Sequence, residues 1–196
     1  MIDSKRSFFS RRIAVALMGA CFAALLGAQA APTPSTPAPA APGAQAMMWK
    51  TYSYPAEGFS ASFPSEPQFK KNFLNTKTGE IEVRMYLVIL QPAWVVTVID
   101  YGEQATGADA DTLLELGKQG ALSSSNAHLL SEKTIMLNGN HGIQFEAESS
   151  MAHFSFRIYL VGGTLYQTMV VSDPADKSAE TARFLDSFQL IERVKN

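Results

Sequence analysis

Glu148 and His153 are the one acid and imidazole pair that strand geometry brings together, because a turn at Ser150-Met151 sets them opposite each other on neighbouring strands. Such a pair can relay a proton when something orients it. On a sheet surface it is more simply a cross-strand contact contributing a few tenths to about 1 kcal/mol, and that is the expectation here. The three histidines, His128, His141 and His153, have no spacing that converges on a metal ion. Asp109-Ala110-Asp111 lacks the glycine and later glutamate of a calcium loop and suits the positive start of a helix instead. Gly58-Phe59-Ser60-Ala61-Ser62 approaches a serine-nucleophile turn but lacks its second glycine and falls within a strand pattern. Gly139-Asn140-His141-Gly142 is a hairpin turn rather than a phosphate loop opening a helix. Met85, Met136, Met151 and Met169 are scattered along strands, which predicts core positions rather than a copper(I) site. No catalytic residue, metal site or cofactor is expected.

These residues sit on a chain that reads as one α+β domain from residue 48 to 196. Short alternating stretches predict strands over Trp49 to Tyr54, Phe59 to Phe63, Gln68 to Thr76, Glu80 to Leu90 and Trp94 to Tyr101. Asp109 and Asp111 open a helix running to about Leu122, with Leu113, Leu114, Gly117, Gly120 and Ala121 along one side. Its glycines predict close approach to a sheet. Asn138-Gly139 and Gly162-Gly163 are hairpin turns. Closing the second places Leu160 opposite Leu165, Phe156 opposite Met169 and Phe154 opposite Val171. The turn at Ser150-Met151 pairs Phe145 with Phe156, Ile143 with Ile158 and Ala147 with Phe154. Both registers put the same face in the core, as a one-residue slip would not. Asp173-Pro174 starts a second helix through Ala179, Ala182, Phe184, Leu185 and Phe188, before a short strand near Gln189 to Glu192.

The opposite face of the late strands carries Glu148, His153, Arg157, Tyr159, Tyr166 and Thr168. Tyrosine and arginine are favoured at interfaces, so this face is the candidate binding surface. The competing reading is that a helix of the same domain covers it. The Ala108 to Leu122 helix is the one that would do so.

Location is read from the first 46 residues. Lys5, Arg6, Arg11 and Arg12 precede an apolar run from Ile13 to Gly27, and Ala28-Gln29-Ala30 supplies a small-x-small cleavage pattern, so residues 1–30 read as an export signal. The run is about 15 residues, short of the roughly 20 that a membrane-spanning helix needs. Gly19-Ala20-Cys21 offers a lipoprotein alternative, with Met18 where leucine is usual and apolar residues continuing past the cysteine. Ser10-Arg11-Arg12 resembles a twin-arginine start. Residues 31–47 form a Pro/Ala-rich spacer that cannot bury a core. From Ala31 onward 12 Lys plus Arg face 17 Asp plus Glu, a formal charge of −5, which disfavours nucleic acid and anionic membranes as partners. Cleavage after Ala30 would remove the one cysteine, and with it disulfide and thiol chemistry.

Three stretches carry a family resemblance: Gly58-Phe59-Ser60-Ala61-Ser62-Phe63-Pro64-Ser65-Glu66-Pro67, Arg157-Ile158-Tyr159-Leu160-Val161-Gly162-Gly163-Thr164-Leu165-Tyr166-Gln167, and Ala182-Arg183-Phe184-Leu185-Asp186-Ser187-Phe188. The chain resembles the PsbP/Mog1/DcrB-like fold over nearly all of Met48 to Ile191. The resemblance implies an antiparallel sheet layered with two main helices, and an assembly factor, binding partner or accessory subunit with no shared catalytic residue. The expectation is an exported, non-catalytic periplasmic or secreted domain that binds an envelope or periplasmic protein through the Tyr159 and Tyr166 face, with no nucleic acid and no membrane contact unless Cys21 is lipidated. A small-ligand carrier with its site between helix and sheet is the alternative, and a hydrolase the third reading.

Overall fold

The structure, a computed structural model, describes residues 47–76, 79–105, 107–174 and 179–194. The export signal with Ala28, Ala30 and Cys21, and the spacer up to residue 46, lie outside these residues.

Ten strands and two helices follow in order: β1 (Lys50–Tyr54), β2 (Phe59–Phe63), β3 (Gln68–Thr76), β4 (Gly79–Val88), β5 (Ala93–Asp100), α1 (Ala110–Ser125), β6 (His128–Leu137), β7 (Asn140–Glu148), β8 (His153–Val161), β9 (Thr164–Ser172), α2 (Ala179–Ser187) and β10 (Gln189–Leu190). Seven of the strands form one antiparallel sheet in the order β3-β4-β5-β9-β8-β7-β6, and the other three pair as β1-β2-β10. The expected registers hold. Phe156 faces Met169 across β8 and β9, Phe145 faces Phe156 across β7 and β8, and Tyr159 faces Tyr166. This is the α+β domain that the alternation predicts, with the antiparallel sheet layered with two helices that the resemblance implies.

Both faces of the large sheet are buried, each by a different layer. Phe145, Phe154, Phe156, Ile158, Leu165 and Met169 belong to a core shared with Leu114 and Ala121 of α1. Asp109 caps that helix by accepting the Thr112 amide at 2.9 Å, and Asn126 ends it in the left-handed conformation with φ 49°. Gly117 shows why a glycine stands at its centre: a Cβ there would come within 3.0 Å of Leu165 Cδ1. Lys118, buried on the same helix, reaches Glu115 at 2.6 Å and Glu132 of β6 at 2.5 Å. Burial alone would lower the ammonium's pKa, but the two carboxylates outweigh it and raise it. A buried cation paired in this way ties helix to sheet edge.

On the other face, Phe59 and Phe63 of β2 and Phe184, Leu185 and Phe188 of α2 and its end pack with Trp94, Val96, Val98, Tyr159, Tyr166 and Val170. Trp49 abuts Trp94 edge-on at 5.7 Å between centroids, and the Arg183 guanidinium sits over Trp49 at 4.8 Å.

Three expectations need correction. β4 stops at Val88, so Ile89 and Leu90 are not strand residues but half-exposed members of a turn that precedes a cis Gln91-Pro92 bond. Helix α1 runs three residues past Leu122. Met85 and Met169 are core as expected, whereas Met136 and Met151 are exposed at 58% and 59%, one near the end of an edge strand and the other at a turn tip.

Candidate functional site

Tyr159, Tyr166 and Thr168 of the candidate binding face are buried, at 4%, 3% and 0% exposure, so the face is covered by the domain itself and is not an open binding surface. The covering layer is not α1, which packs on the opposite face, but α2 with the small sheet. Tyr159 stacks on Phe188 at 5.8 Å with 3° between the planes, and Tyr166 tilts against the same ring at 6.0 Å. The Tyr166 hydroxyl donates to the Glu57 carbonyl at 2.7 Å, the partner that a buried phenol needs. Burial raises both phenol pKa values. The physical reason was present in the sequence. Phe59, Ala61 and Phe63 share one strand face, and Phe184, Leu185 and Phe188 form an apolar cluster on and just beyond α2, so both elements require a surface to cover.

Glu148, His153 and Arg157 stay partly exposed. Glu148 and His153 are backbone neighbours in the ladder, as expected, yet the imidazole bonds elsewhere. Its Nε2 lies 3.0 Å from Glu146 Oε2, and the Ser155 hydroxyl donates to the same carboxylate oxygen. Serine, histidine and glutamate thus meet, in the wrong order for a nucleophile. In a hydrolytic triad the imidazole lies between serine and acid and takes the serine proton. Here the carboxylate lies between, and Ser155 is 5% exposed. Arg157 reaches Gln144 Oε1 at 2.9 Å and Asp186 Oδ1 of α2 at 2.6 Å, so it fastens the second layer down. Among the described residues no group of three or more His, Cys, Asp and Glu could hold a metal ion.

A buried charge network went unseen in the sequence. Glu57, in the β1–β2 turn and 9% exposed, accepts from Arg84 Nε at 2.7 Å and from the Tyr86 hydroxyl at 3.1 Å, while Arg84 also reaches Glu82 at 3.0 Å. Burial opposes the charge on Arg84, and the two carboxylates more than restore it. Glu82, Arg84 and Tyr86 lie at alternate positions on one face of β4, but Glu57 comes from a turn much earlier in the chain, so no local spacing announces the network. With Tyr166 bonded to the Glu57 carbonyl, it anchors the small sheet to the large one.

The surface feature open to a partner lies at one end of the sandwich. Ile89, Leu90, Gln91, Ser125, Ser149, Met151 and the neighbouring strand ends enclose an apolar cleft of about 210 Å³. It sits between the last turn of α1, the β4–β5 turn and the β7–β8 turn. Ile89, Leu90 and Met151 are each at least half exposed around it. The chain enters β1 at this same end, since Lys50 pairs with Phe63 and Trp49 contacts Trp94, the residue opposite Val88.

The fold with its two differently covered faces is PsbP-like. It is similar to the solution structure of cyanobacterial PsbP (CyanoP) from Synechocystis sp. PCC 6803, with a TM-score of 0.51 and 12% identity over 79% of this chain and 99% of that one. A crystal structure from Bacteroides thetaiotaomicron VPI-5482 matches at a TM-score of 0.35 and 12% identity, over 72% of this chain and 48% of that one, too weakly to carry an argument. No family model and no curated protein matches the sequence. At such identities the likeness shows the fold alone.

Proposed function

We propose that the chain is an exported, non-catalytic accessory domain that binds an envelope component through the apolar end of its sandwich. The observation that carries this is the exposure of Ile89, Leu90 and Met151 around a cleft, at the end of a sheet whose two central faces are covered by α1 and by α2 with the small sheet. Export rests on residues 1–30, whose charge and apolar pattern read as a signal, and periplasmic placement rests on that. The Ser155, Glu146 and His153 arrangement supports a non-catalytic role, because no base is poised on a hydroxyl.

Crosslinking in intact cells, comparing the wild type with a Leu90→Ser/Met151→Ser variant, tests the reading. Both side chains are exposed, so the variant should keep its unfolding temperature. A crosslinked component lost only in the variant supports the proposal, and the same products from both proteins would refute it.

A ligand carrier is the second reading, since the cleft lies between helix and sheet as that reading requires. Its volume of about 210 Å³ is below the roughly 300–1,000 Å³ of ordinary ligand pockets. That size fits an inserted side chain better than a carried molecule. Native mass spectrometry showing a retained small molecule would reverse the preference.

A further inference from the structure

The two edges of the large sheet, β3 and β6, are not alike. The register of β6 shifts between Leu129 and Ser131, the kind of bulge that discourages a further strand from pairing. By contrast, β3 keeps an unbroken register against β4 over all nine of its residues. The edges of the small sheet are only five and two residues long. A row of backbone N–H and C=O groups along an open edge has one natural complement, another extended strand. Phe69 and Phe73 stand half exposed on β3, at 53% and 50%, and aromatic side chains are favoured where proteins meet.

We propose that β3 pairs antiparallel with β3 of a second copy of the chain, about a two-fold axis at Asn72. The strand's own sequence selects that occupant. Opposed residues of an antiparallel pair share a face of the sheet, so the axis must pass through a residue. Through Lys70 or Lys71 it would set a lysine against its own copy, a like-charge contact that destabilises the pair. Through Phe73 it would leave Gln68 and Phe69 beyond the end of the opposing strand. Through Asn72 it pairs all nine residues, and it sets Lys70 opposite Leu74 and Lys71 opposite Phe73 of the second copy. The Lys71 ammonium already lies 5.5 Å from the Phe73 ring of its own chain, so the strand makes within itself the cation-over-ring contact that the seam repeats. The lysines thus bar the other registers and not this one. Nine paired residues supply about eight to ten backbone hydrogen bonds, close to the roughly ten of an ordinary interface. The seam uses neither the apolar cleft nor Ile89, Leu90 and Met151, so it stands independently of the binding role proposed above.

Sedimentation equilibrium of the processed protein recovered from cells should show a dimer that dissociates on dilution. Phe73→Lys sets a lysine opposite Lys71 twice across the seam and should weaken the dimer roughly tenfold or more. Adding Lys71→Glu makes the facing charges opposite and should restore it. The register is read separately with thiols in a Cys21→Ala background. Asn72→Cys stands about 4.5–5.5 Å from its own copy between Cα atoms, within disulfide reach, and should crosslink on mild oxidation. Lys70→Cys is four positions out of line with its copy, roughly 14 Å away, and should not. A monomer at every concentration, a dimer indifferent to Phe73→Lys at an unchanged unfolding temperature, or Lys70→Cys crosslinking as readily as Asn72→Cys would each overturn the inference. Should Phe73→Lys fail to fold, the two thiol variants decide it alone.

Discussion

Gly142→Ala should destabilise the domain, although replacing glycine in a strand ordinarily helps. Gly142 pairs with Tyr159 across β7 and β8. A Cβ at this position would lie 2.5 Å from Tyr159 Cδ1 and 2.6 Å from the Ile158 carbonyl oxygen. Carbon contacts are comfortable at about 3.5–4.0 Å, so something must move by about an ångström. The carbonyl is backbone of the adjoining strand. The tyrosine ring is 4% exposed and stacked on Phe188 at 5.8 Å, with no open side to swing into. Forced overpacking costs about 1–3 kcal/mol, against about 0.4–1 kcal/mol gained by restricting the unfolded chain. The net expectation is a loss of about 1 kcal/mol, or a fall of about 2–4 °C in Tm for a domain of this size. Urea and thermal unfolding measure it, with an unchanged m-value showing that the unfolded state is not the cause. Gly117→Ala is the milder comparison, since its new Cβ is crowded at 3.0 Å by one side-chain methyl of Leu165, and Ile158 lies at ordinary contact distance. There a helix-propensity gain of about 1 kcal/mol should roughly cancel the crowding. If Gly142→Ala proved neutral or stabilising, Tyr159 would be free to leave its place and the closed second layer would be wrong.

Phe188→Ala removes a ring that is 2% exposed and touches Phe59, Tyr159 and Tyr166, so urea unfolding should report a loss of about 3–5 kcal/mol. Arg84→Met should cost about 3 kcal/mol because the Glu57 carboxylate then stays buried with Tyr86 alone, and Glu57→Leu in the same chain should recover part of it; a double-mutant cycle measures both. Burial raises the Tyr54 and Tyr101 phenols to about 12, helped at Tyr54 by Tyr52 and Glu66. Their contribution to stability is thus complete below the unfolded value near 10 and disappears as pH rises from there through about 12. The urea midpoint should hold steady up to about pH 9 and then fall, with a shallower fall in Tyr54→Phe/Tyr101→Phe.

Local patterns made most of the fold legible. Gly162-Gly163 and the turn at Ser150-Met151 set registers that agree pair by pair with the ladders, because a short turn leaves the strands little freedom to slip. Gly117 as a close approach of helix to sheet was legible for a similar reason. The site was not. Tyr159 and Tyr166 have polar tips, and on β8 and β9 they alternate with a face that is apolar but for Gln167, so they read as the other side of the sheet. What buries them arrives from Phe59, more than 90 residues earlier, and from Phe188, more than 20 later, and no period within a strand encodes a layer supplied by other segments. His153 turning to Glu146 rather than Glu148 depends on side-chain direction, which the backbone register does not fix. The exposed end is not legible in the sequence because Ile89 and Leu90 extend the apolar run of β4 without a break, and only the turn into Pro92 takes them out of the strand.

The pairing of β10 with β2 joins Gln189 to Ser60 and Leu190 to Phe59. A chain made from its N-terminus therefore cannot complete its second layer until β10 has emerged. Until then Phe59, Tyr159 and Tyr166 have no Phe188 to pack against, and the partly emerged chain lacks half of its core. A second layer that closes only with β10 makes the burial of Phe59, Tyr159 and Tyr166 a late event in folding.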